Sequence, residues 1–399
     1  MRRIGIYGGS FNPPHMGHIQ GAIQGVNGLK LDKMLLIPAG IAPHKTLAAG
    51  SPTAEQRLEM TRLCVRAAGD ARLEVLDLEI RRDGPSYTYE TVEQIHALYP
   101  DAQLYLLMGT DMFLSFASWR EPERIARLAE LAVLYRGERE ETVQAEQCRQ
   151  ELERSGIHAT LLKNPVVPIS STQLRRMLVF RCASPFLCPE TEAYIRRNGL
   201  YGTDRDYRNL PMEELEKVVT GLLKPNRVKH VLGCRDTAVA LALRYGADPT
   251  DAARAGILHD ITKALDGPLQ LTLCQAYGVG LDSFSQNNPK TLHALTGSLV
   301  ARRVFGENDA VVSAIRCHTT GKANMNLLEK ILYVADYMEP NRDFPGVERL
   351  RELAFTDLDG ALRLGLEMTL HLLEQKGSTV SPESREALAY LDRQEKEAL

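Results

Sequence analysis

The sequence predicts a two-part chain, an α/β domain on a mostly parallel sheet followed by an all-α helical bundle. Three observations carry this. The 399 residues exceed the ~250 to 300 at which one hydrophobic core usually stops growing. The first half alternates short apolar runs with stretches of helical period. From Met212 onward almost every apolar run has the helical period instead. The boundaries expected on this basis are a first domain over 1–202, a linker over 203–211 and a second domain over 212–399.

In chain order the expected strands are "RRIGIYGG", "KMLLIPAG", "LEVLDLEI", "QLYLLMGTD", "LAVLYRG" and "HATLLKN", each separated by a helical stretch. Ligands of such sheets sit beyond the C-terminal ends of the strands, where "YGGSF", "IPAGIAPHK" and "LMGTD" fall. After "YIRRNGLYG" the polar "TDRDYRNLPMEEL", with Gly202, Asn209 and Pro211, reads as the linker. Helices then follow in "DTAVALALRYG", "DAARAGILHDITKAL" and "LEKILYVADYM", with no internal repeat and no low-complexity segment.

Composition narrows the functional classes. A net charge of -3, 44% hydrophobic and 25% charged residues give no reason to expect nucleic acid or membrane as a partner. Small polyanionic substrates stay open, because local basic residues can serve them. "MRRIGIYGGS" runs into a strand and a glycine loop rather than a signal peptide, and no run is apolar enough to cross a bilayer. The seven cysteines are odd in number and include no C-x-x-C pair, which indicates neither a disulfide framework nor a thiolate zinc site. A cytoplasmic location is expected.

"GGSFNPPHMGH" places Gly8, Gly9, Ser10 and Phe11 directly after the first strand and His15 and His18 at the start of a helix. A loop of small residues lets main-chain N–H groups approach phosphate oxygens, and the helix N-terminus adds partial positive charge. Two histidines three apart share a helix face, Gly17 between them leaves room for a ligand, and paired imidazoles can neutralise charge developing on phosphates. The plain alternative is a pair of polar histidines facing water. In "VPISSTQLRRML", Ser170 or Ser171 supplies an N-cap and Arg175 lies one turn in, where it opposes the helix dipole unless an anion binds there.

Together "GGSFNPPHMGH" and "ISSTQLRR" resemble the nucleotidyltransferase superfamily with its glycine loop, H-x-G-H and I-S-S-T-x-x-R motifs. "IPAGIAPHK", "GPSYTYETV", "MGTD" followed by "SW", and "YIRRNGLYG" narrow the resemblance to the bacterial nicotinate-nucleotide adenylyltransferases, over Met1 to about Gly202. The resemblance implies a Rossmann-like fold and transfer of the adenylyl group of ATP to nicotinate mononucleotide, with Mg2+, by positioning and charge stabilisation. It assigns His15, His18 and Arg175 to the phosphates and departing pyrophosphate. Ser170, Ser171 and Thr172 go to the triphosphate, and Gly8, Gly9, Ser10, Phe11, Gly109 and Asp111 to substrate binding. It gives Lys45 to the second substrate's phosphate, Thr88 to the nicotinate carboxylate region and Trp119 to stacking on the pyridine ring. From the residues alone, Trp119 is as readily a core or rim aromatic, and Asp111 a helix cap. Where the family usually has R-P-G this chain has "YRGE", which puts a role for Arg136 in doubt. A phosphorylated acceptor such as phosphopantetheine is the alternative substrate.

In the second half, "GILHDITKAL" sets His259 beside Asp260, and neighbours on a helix point about 100° apart. His230, His293 and His318 lie in helical or helix-end contexts, and Asp336 sits among apolar neighbours where an unpaired carboxylate is costly. A mixed His and carboxylate set without cysteine suits Fe, Mn, Co or Zn in a hydrolytic site, with a structural metal as the alternative. The order His, His-Asp, Asp resembles the HD-domain metallohydrolases. "HDITK", "HTTG" and "ADYMEPNRDFPGVERLR" resemble, more narrowly, the bacterial HD proteins that cleave diadenosine tetraphosphate symmetrically into two ADP. The resemblance implies an HD-domain helical bundle with metal ligands His230, His259, Asp260 and Asp336. His293 and His318 would serve a second metal or phosphate, and Lys263 and Arg342 would offset charge. Lys263 equally suits a surface i,i+3 ion pair with Asp260. A nucleotide-sensing module is the alternative function, and a homodimer through this domain is expected by analogy.

Overall fold

The computed structural model of the chain describes residues 1–41, 50–135, 139–163, 167 and 169–398. It divides into two compact units, Met1–Arg205 and Asp206–Leu399.

The first unit is built on a six-stranded sheet of order β3-β2-β1-β4-β5-β6. The strands are β1 Arg2–Gly9, β2 Lys33–Pro38, β3 Leu73–Val75, β4 Ala102–Gly109, β5 Ala129–Tyr135 and β6 Ala159–Lys163, all paired in parallel. Parallel strands are covered on both faces, and the residues alternate between two cores accordingly. Ile4, Ile6, Leu35, Ile37, Leu104 and Leu106 point to one core, and Met34, Leu36, Tyr105 and Leu107 to the other. The strand order reverses between β1 and β4, which places the ligand crevice of such a sheet beyond Gly9 and Gly109.

The Met16–Leu29 helix follows β1 and buries Ile19, Ala22, Val26 and Leu29 at helical spacing. It stops at Lys30, whose φ of 53° is left-handed. The strand expected over "LEVLDLEI" is shorter than its apolar pattern. Only Leu73–Val75 pairs with β2, because the Ile80 and Arg81 N–H groups turn back to the Asp77 carbonyl and end the extension.

The second unit is helical, with its functional residues on or just after the helices Pro225–Tyr245, Pro249–Leu258, Leu292–Val300, Asp309–Cys317 and Leu327–Met338. Asp248, Asn308 and Asn326 accept first-turn N–H groups, so the helices start where side-chain caps are available. Gly256 permits the closest crossing, since a Cβ there would lie 2.6 Å from Arg235 Cα. Part of the segment expected as a linker is packed into this unit. Tyr207 and Leu210 are only 6% and 8% exposed, the Tyr207 ring lies 6.0 Å from Phe305, and Arg254 donates to the Leu210 carbonyl. Among the described residues no helix is long and apolar enough to cross a membrane.

Candidate active sites

At the switch point of the sheet, Gly8, Gly9, Ser10 and Phe11 carry the chain from β1 to His15, the N-cap of the Met16–Leu29 helix. Gly9 is bare where a Cβ would press on the Phe11 ring at 3.3 Å, and Phe11 is fully buried in a left-handed conformation, φ 43°. The His15 and His18 rings lie 3.7 Å apart, and the His15 main-chain N–H donates to His18 Nδ1 at 3.2 Å. That bond makes His18 Nδ1 an acceptor and leaves its proton on Nε2 in the neutral ring.

Two sequence expectations change here. Burial, and then the neighbouring His18, hold His15 well below the ordinary histidine range, so at neutral pH it offers a hydrogen bond rather than a charge. The space left by Gly17 is taken by His15 itself, whose Nδ1 would lie 3.0 Å from a Cβ on Gly17. His15 Nδ1 is buried with no partner, a polar atom available to a ligand.

The "ISSTQLRR" segment forms the Ser171–Val179 helix, with Ser170 as its N-cap accepting from Gln173 N–H. Ser171 Oγ donates to the Pro13 carbonyl at 2.9 Å, and Arg175 donates to the Asn12 carbonyl at 2.7 Å and to Thr172 Oγ1 at 3.1 Å. The two motifs, 158 residues apart between Pro13 and Ser171, are thereby joined into one site. The Arg175 guanidinium steadies the glycine loop, with exposed Thr172 and Ser170 beside it.

Asp111 does not cap its helix. Gly109 is the N-cap of Thr110–Leu114, Asp111 lies in the first turn, and a Cβ on Gly109 would meet Asp111 Oδ1 at 2.9 Å. The Asp111 carboxylate is close enough to Tyr7 to add to the burial that pushes the phenol up to about 12. Thr88 opens the Thr88–Leu98 helix, and half-buried Trp119 packs against Phe116 with ring centres 5.4 Å apart. Arg120 sits over the Tyr87 ring at 4.3 Å and so brings the Thr88 and Trp119 segments together. Lys45 and Arg136 lie outside the described residues.

Sequence reasoning passed over three supports of this site. Arg57, only 2% exposed, donates to the carbonyls of Ser10, Ala39 and Gly40 and so clamps the loops after β1 and β2. Tyr201 donates to Asn12 Oδ1 at 2.7 Å. No spacing rule links Arg57, Asn12 and Tyr201; the signal available was an arginine within the helix pattern of "TAEQRLEMTRLCV".

In the second unit, His230, His259, Asp260 and Asp336 converge. His230 Nε2 lies 3.2 Å from His259 Nε2 and 3.1 Å from Asp336 Oδ1. Asp260 Oδ2 lies 3.5 Å from His259 Nε2 and 3.7 Å from His230 Nε2, and Asp336 Oδ1 is 3.8 Å from His259 Nε2. An ion held about 2.1 Å from each donor needs donors about 3 to 3.4 Å apart, so these atoms fit one cation with slight tightening. On the other oxygen of the same carboxylate, Asp260 Oδ1 lies 3.5 Å from His293 Nε2 and 3.9 Å from His318 Nε2. Asp260 Oδ1 is buried and has no hydrogen-bond partner, and it belongs to a second His-and-carboxylate group fit to hold a metal.

The orientation of the imidazoles is the strongest sign of this chemistry. His259, His293 and His318 each turn Nδ1 to the carbonyl three residues earlier, Gly256, Lys290 and Ile315, at 2.7, 2.9 and 2.7 Å. His230 turns Nδ1 to Glu339 Oε1 at 3.1 Å. An Nδ1–H donated to each acceptor leaves every Nε2 lone pair facing inward, the outer-shell arrangement of metal-binding histidines. Burial holds His293 down to about 3 and His318 down to about 4, which keeps both neutral and able to ligate.

His259 and Asp260 lie just beyond the Pro249–Leu258 helix, His259 being its C-cap and Asp260 in the following turn. His259 keeps helical φ and ψ of -54° and -38°, and Asp260 Oδ2 still comes within 3.5 Å of His259 Nε2. Arg227 and Arg342 donate to Asp260 and Asp336 respectively, and Lys263 Nζ lies 2.9 Å from His293 Nε2 rather than pairing with Asp260 across one turn. Glu339 and Arg227 escaped the sequence reading. The signal for Glu339 was a carboxylate three residues after Asp336, on the same helix face, and Gly233 is bare because a Cβ there would collide with Glu339 Oε2.

Comparison with known proteins agrees with this division. The cytidylyltransferase-like family matches residues 6–177, and the HD domain family matches residues 227–341. The protein named "Probable nicotinate-nucleotide adenylyltransferase" of Synechococcus sp. (strain JA-3-3Ab) is 40% identical over 201 residues, covering 50% of this chain and 95% of that protein. The "Bis(5'-nucleosyl)-tetraphosphatase, symmetrical" of Halalkalibacterium halodurans is 41% identical over 173 residues, 41% of this chain and 89% of that one. A crystal structure of an HD superfamily hydrolase from Clostridium acetobutylicum, described as involved in NAD metabolism, is 38% identical, with a TM-score of 0.45 over 46% of this chain and 98% of that one. The chain is an enzyme that belongs through its first half to the nicotinate-nucleotide adenylyltransferase family and through its second to the HD-domain family of symmetrical bis(5'-nucleosyl)-tetraphosphatases.

Proposed function

We propose that one chain carries two activities: adenylyl transfer from ATP to nicotinate mononucleotide, and symmetrical hydrolysis of diadenosine tetraphosphate to two ADP. The observation that carries the first is the closely packed His15–His18 pair just after β1, joined through Asn12 and Pro13 to the Ser171–Val179 helix. For the second it is the set of inward Nε2 atoms around Asp260 and Asp336.

In the first reaction the phosphate of nicotinate mononucleotide is the nucleophile, so the chain needs to position groups and offset charge. Neutral His15 and the Nε2–H of His18 donate hydrogen bonds to the phosphates, and Arg175 exchanges the Asn12 carbonyl for the departing pyrophosphate. Ser170 to Thr172 present hydroxyls and helix N–H groups to the triphosphate. Thr88 and Trp119, drawn together through Arg120 and Tyr87, flank the nicotinate ring. Mg2+ bound to the triphosphate would add to the offset of charge.

In the second unit, His230, His259, Asp260 and Asp336 hold one divalent ion, with Fe, Mn or Co suited to the mixed donor set, and His293 and His318 with Asp260 Oδ1 hold a second. When bound, the metal activates water and offsets phosphate charge. Arg227, Arg342 and Lys263 already point at the ligand side chains and turn to the tetraphosphate oxygens as it enters. His293 and His318 are held neutral by burial, so neither needs to lose a proton before binding an ion. His259, which against the effect of burial is held well above the ordinary histidine range by Cys234 and Asp260, gives up its proton to the site.

The test loads the purified full chain in turn with Fe2+, Mn2+ and Co2+, supplies diadenosine tetraphosphate and separates the products. ADP as the sole product supports the reading. ATP with AMP means asymmetric attack, and intact substrate bound by loaded protein means a sensor, and either outcome overturns it. Transfer to phosphopantetheine but not to nicotinate mononucleotide would overturn the first assignment.

A further inference from the structure

Two thiols that neither reaction uses lie side by side in the first unit. Cys64 Sγ is 3.8 Å from Cys188 Sγ, although the residues are 124 positions apart. Thr191 Oγ1 bridges them, 3.2 Å from Cys64 Sγ and 2.9 Å from Cys188 Sγ. Cys188 is the N-cap of the Pro189–Arg197 helix, where the helix dipole favours a thiolate, and it is the less buried of the two at 6% exposure against 2%. Hydrogen bonding with Cys64, opposed by burial and aided by Thr191, pulls Cys188 down to about 6, and the same contact pushes Cys64 up. Cys182 and Cys317, by contrast, are pushed up to about 12 by burial.

Each thiol sits on an element that supports the glycine loop. Cys64 is on the Ala54–Ala68 helix, two turns after Arg57 on the same buried face, and Arg57 holds the Ser10, Ala39 and Gly40 carbonyls. Cys188 opens the helix that leads to Tyr201, which holds Asn12. A disulfide requires the sulfurs to close from 3.8 Å to about 2.05 Å, an approach of under about 2 Å shared between side-chain rotation and helix movement.

We propose that Cys64 and Cys188 are a peroxide-sensitive dithiol that closes to a disulfide and loosens the nucleotide loop of the first unit. The Cys188 thiolate attacks hydrogen peroxide and becomes a sulfenic acid as the O–O bond breaks, and the other oxygen leaves as water after taking up the thiol proton. Cys64 sulfur then displaces the sulfenic hydroxyl, which leaves with the Cys64 proton as a second water. Two thiols lose two electrons in total, and one peroxide is reduced to two waters. The effect on the loop rests on the adenylyl-transfer reading; the chemistry of the pair does not.

The test treats the reduced full chain with hydrogen peroxide, alkylates the remaining free thiols, digests the protein and maps the peptides by mass. The expected result is a peptide pair joined through Cys64 and Cys188 with the loss of two hydrogens, separated by dithiothreitol. The oxidised chain should show a KM for ATP raised severalfold with kcat nearly unchanged, and C64S should show neither effect. Recovery of both cysteines alkylated, or of Cys188 as sulfinic acid with Cys64 free, overturns the disulfide. A joined pair with an unchanged KM overturns the link to the loop. A reduced chain that never adenylates nicotinate mononucleotide counts against the functional reading alone, because the peptide map is read without it.

Discussion

The two candidate sites are assembled from different parts of the chain. In the first unit the parts that matter are main-chain carbonyls and a short loop. Arg57, Arg175, Ser171 and Tyr201 spend their hydrogen bonds on Ser10, Asn12 and Pro13 rather than on one another. In the second unit the parts are side-chain donors on separate helices, each imidazole locked by its own acceptor. A backbone site tolerates loss of one support by relaxing. A donor cluster around a carboxylate shared by two groups does not.

Asp260→Ala is expected to test that contrast most severely. One carboxylate serves both donor groups through its two oxygens, so hydrolysis should fall by more than about the 100-fold that loss of an outer-shell partner causes, while adenylyl transfer stays unchanged. Metal content of the variant, measured beside both activities, decides it; loss of both activities would contradict independent sites. His15→Ala should lower adenylyl transfer by about 10² to 10³-fold and leave hydrolysis intact, a size typical of removing one donor aimed at developing charge.

Glu339→Gln asks whether outer-shell locking matters. It should weaken metal binding by about tenfold, read by titration of the apo chain, because a neutral amide polarises His230 less than a carboxylate does. Gly233→Ala forces a methyl group onto the same carboxylate and should destabilise the second unit by roughly 1 to 3 kcal/mol, seen as a lower Tm for its transition.

The smallest expected effect is one of pH. His293 and His318 are held down to about 3 and about 4, so the unfolded chain binds protons that the folded metal-free unit refuses. Their contribution to stability is fully present above about pH 6.5 and is lost as pH falls toward 4. The drop in Tm of the metal-free chain between pH 7 and pH 5 should therefore be smaller in the double variant H293Q/H318Q than in the parent. His259, raised above the ordinary range and so acting with the opposite sign, is common to both chains. An equal drop would mean that these two rings are more open to water than their burial indicates.

Much of the first site was legible because its chemistry is local in sequence. Gly8 to His18 and Ser170 to Arg175 are contiguous motifs, and strand periodicity places them at strand or helix ends. Arg57 and Tyr201 were not legible, since the partners of Arg57 are main-chain carbonyls that any residue could supply and the partner of Tyr201 is a side-chain amide 189 positions away. In the second site the ligand types and their order were readable, yet Glu339 and Arg227 were not singled out. Whether Asp260 and His259 could share an ion was also undecidable from a helical pattern, because it depends on the side-chain directions that bring Asp260 Oδ2 within 3.5 Å of His259 Nε2.

By itself the sequence determined the alternating parallel-sheet half, the helical half, the motifs of two families and most of the side chains that meet at the candidate sites, because apolar period and residue type are properties of the chain alone. Only the tertiary structure decided that His15 is a neutral donor, that Gly17 accommodates His15, that every cluster imidazole points Nε2 inward, and that Cys64 meets Cys188. Each of these depends on burial and on a partner brought from a distance, and desolvation and hydrogen-bond geometry exist only once the chain is folded.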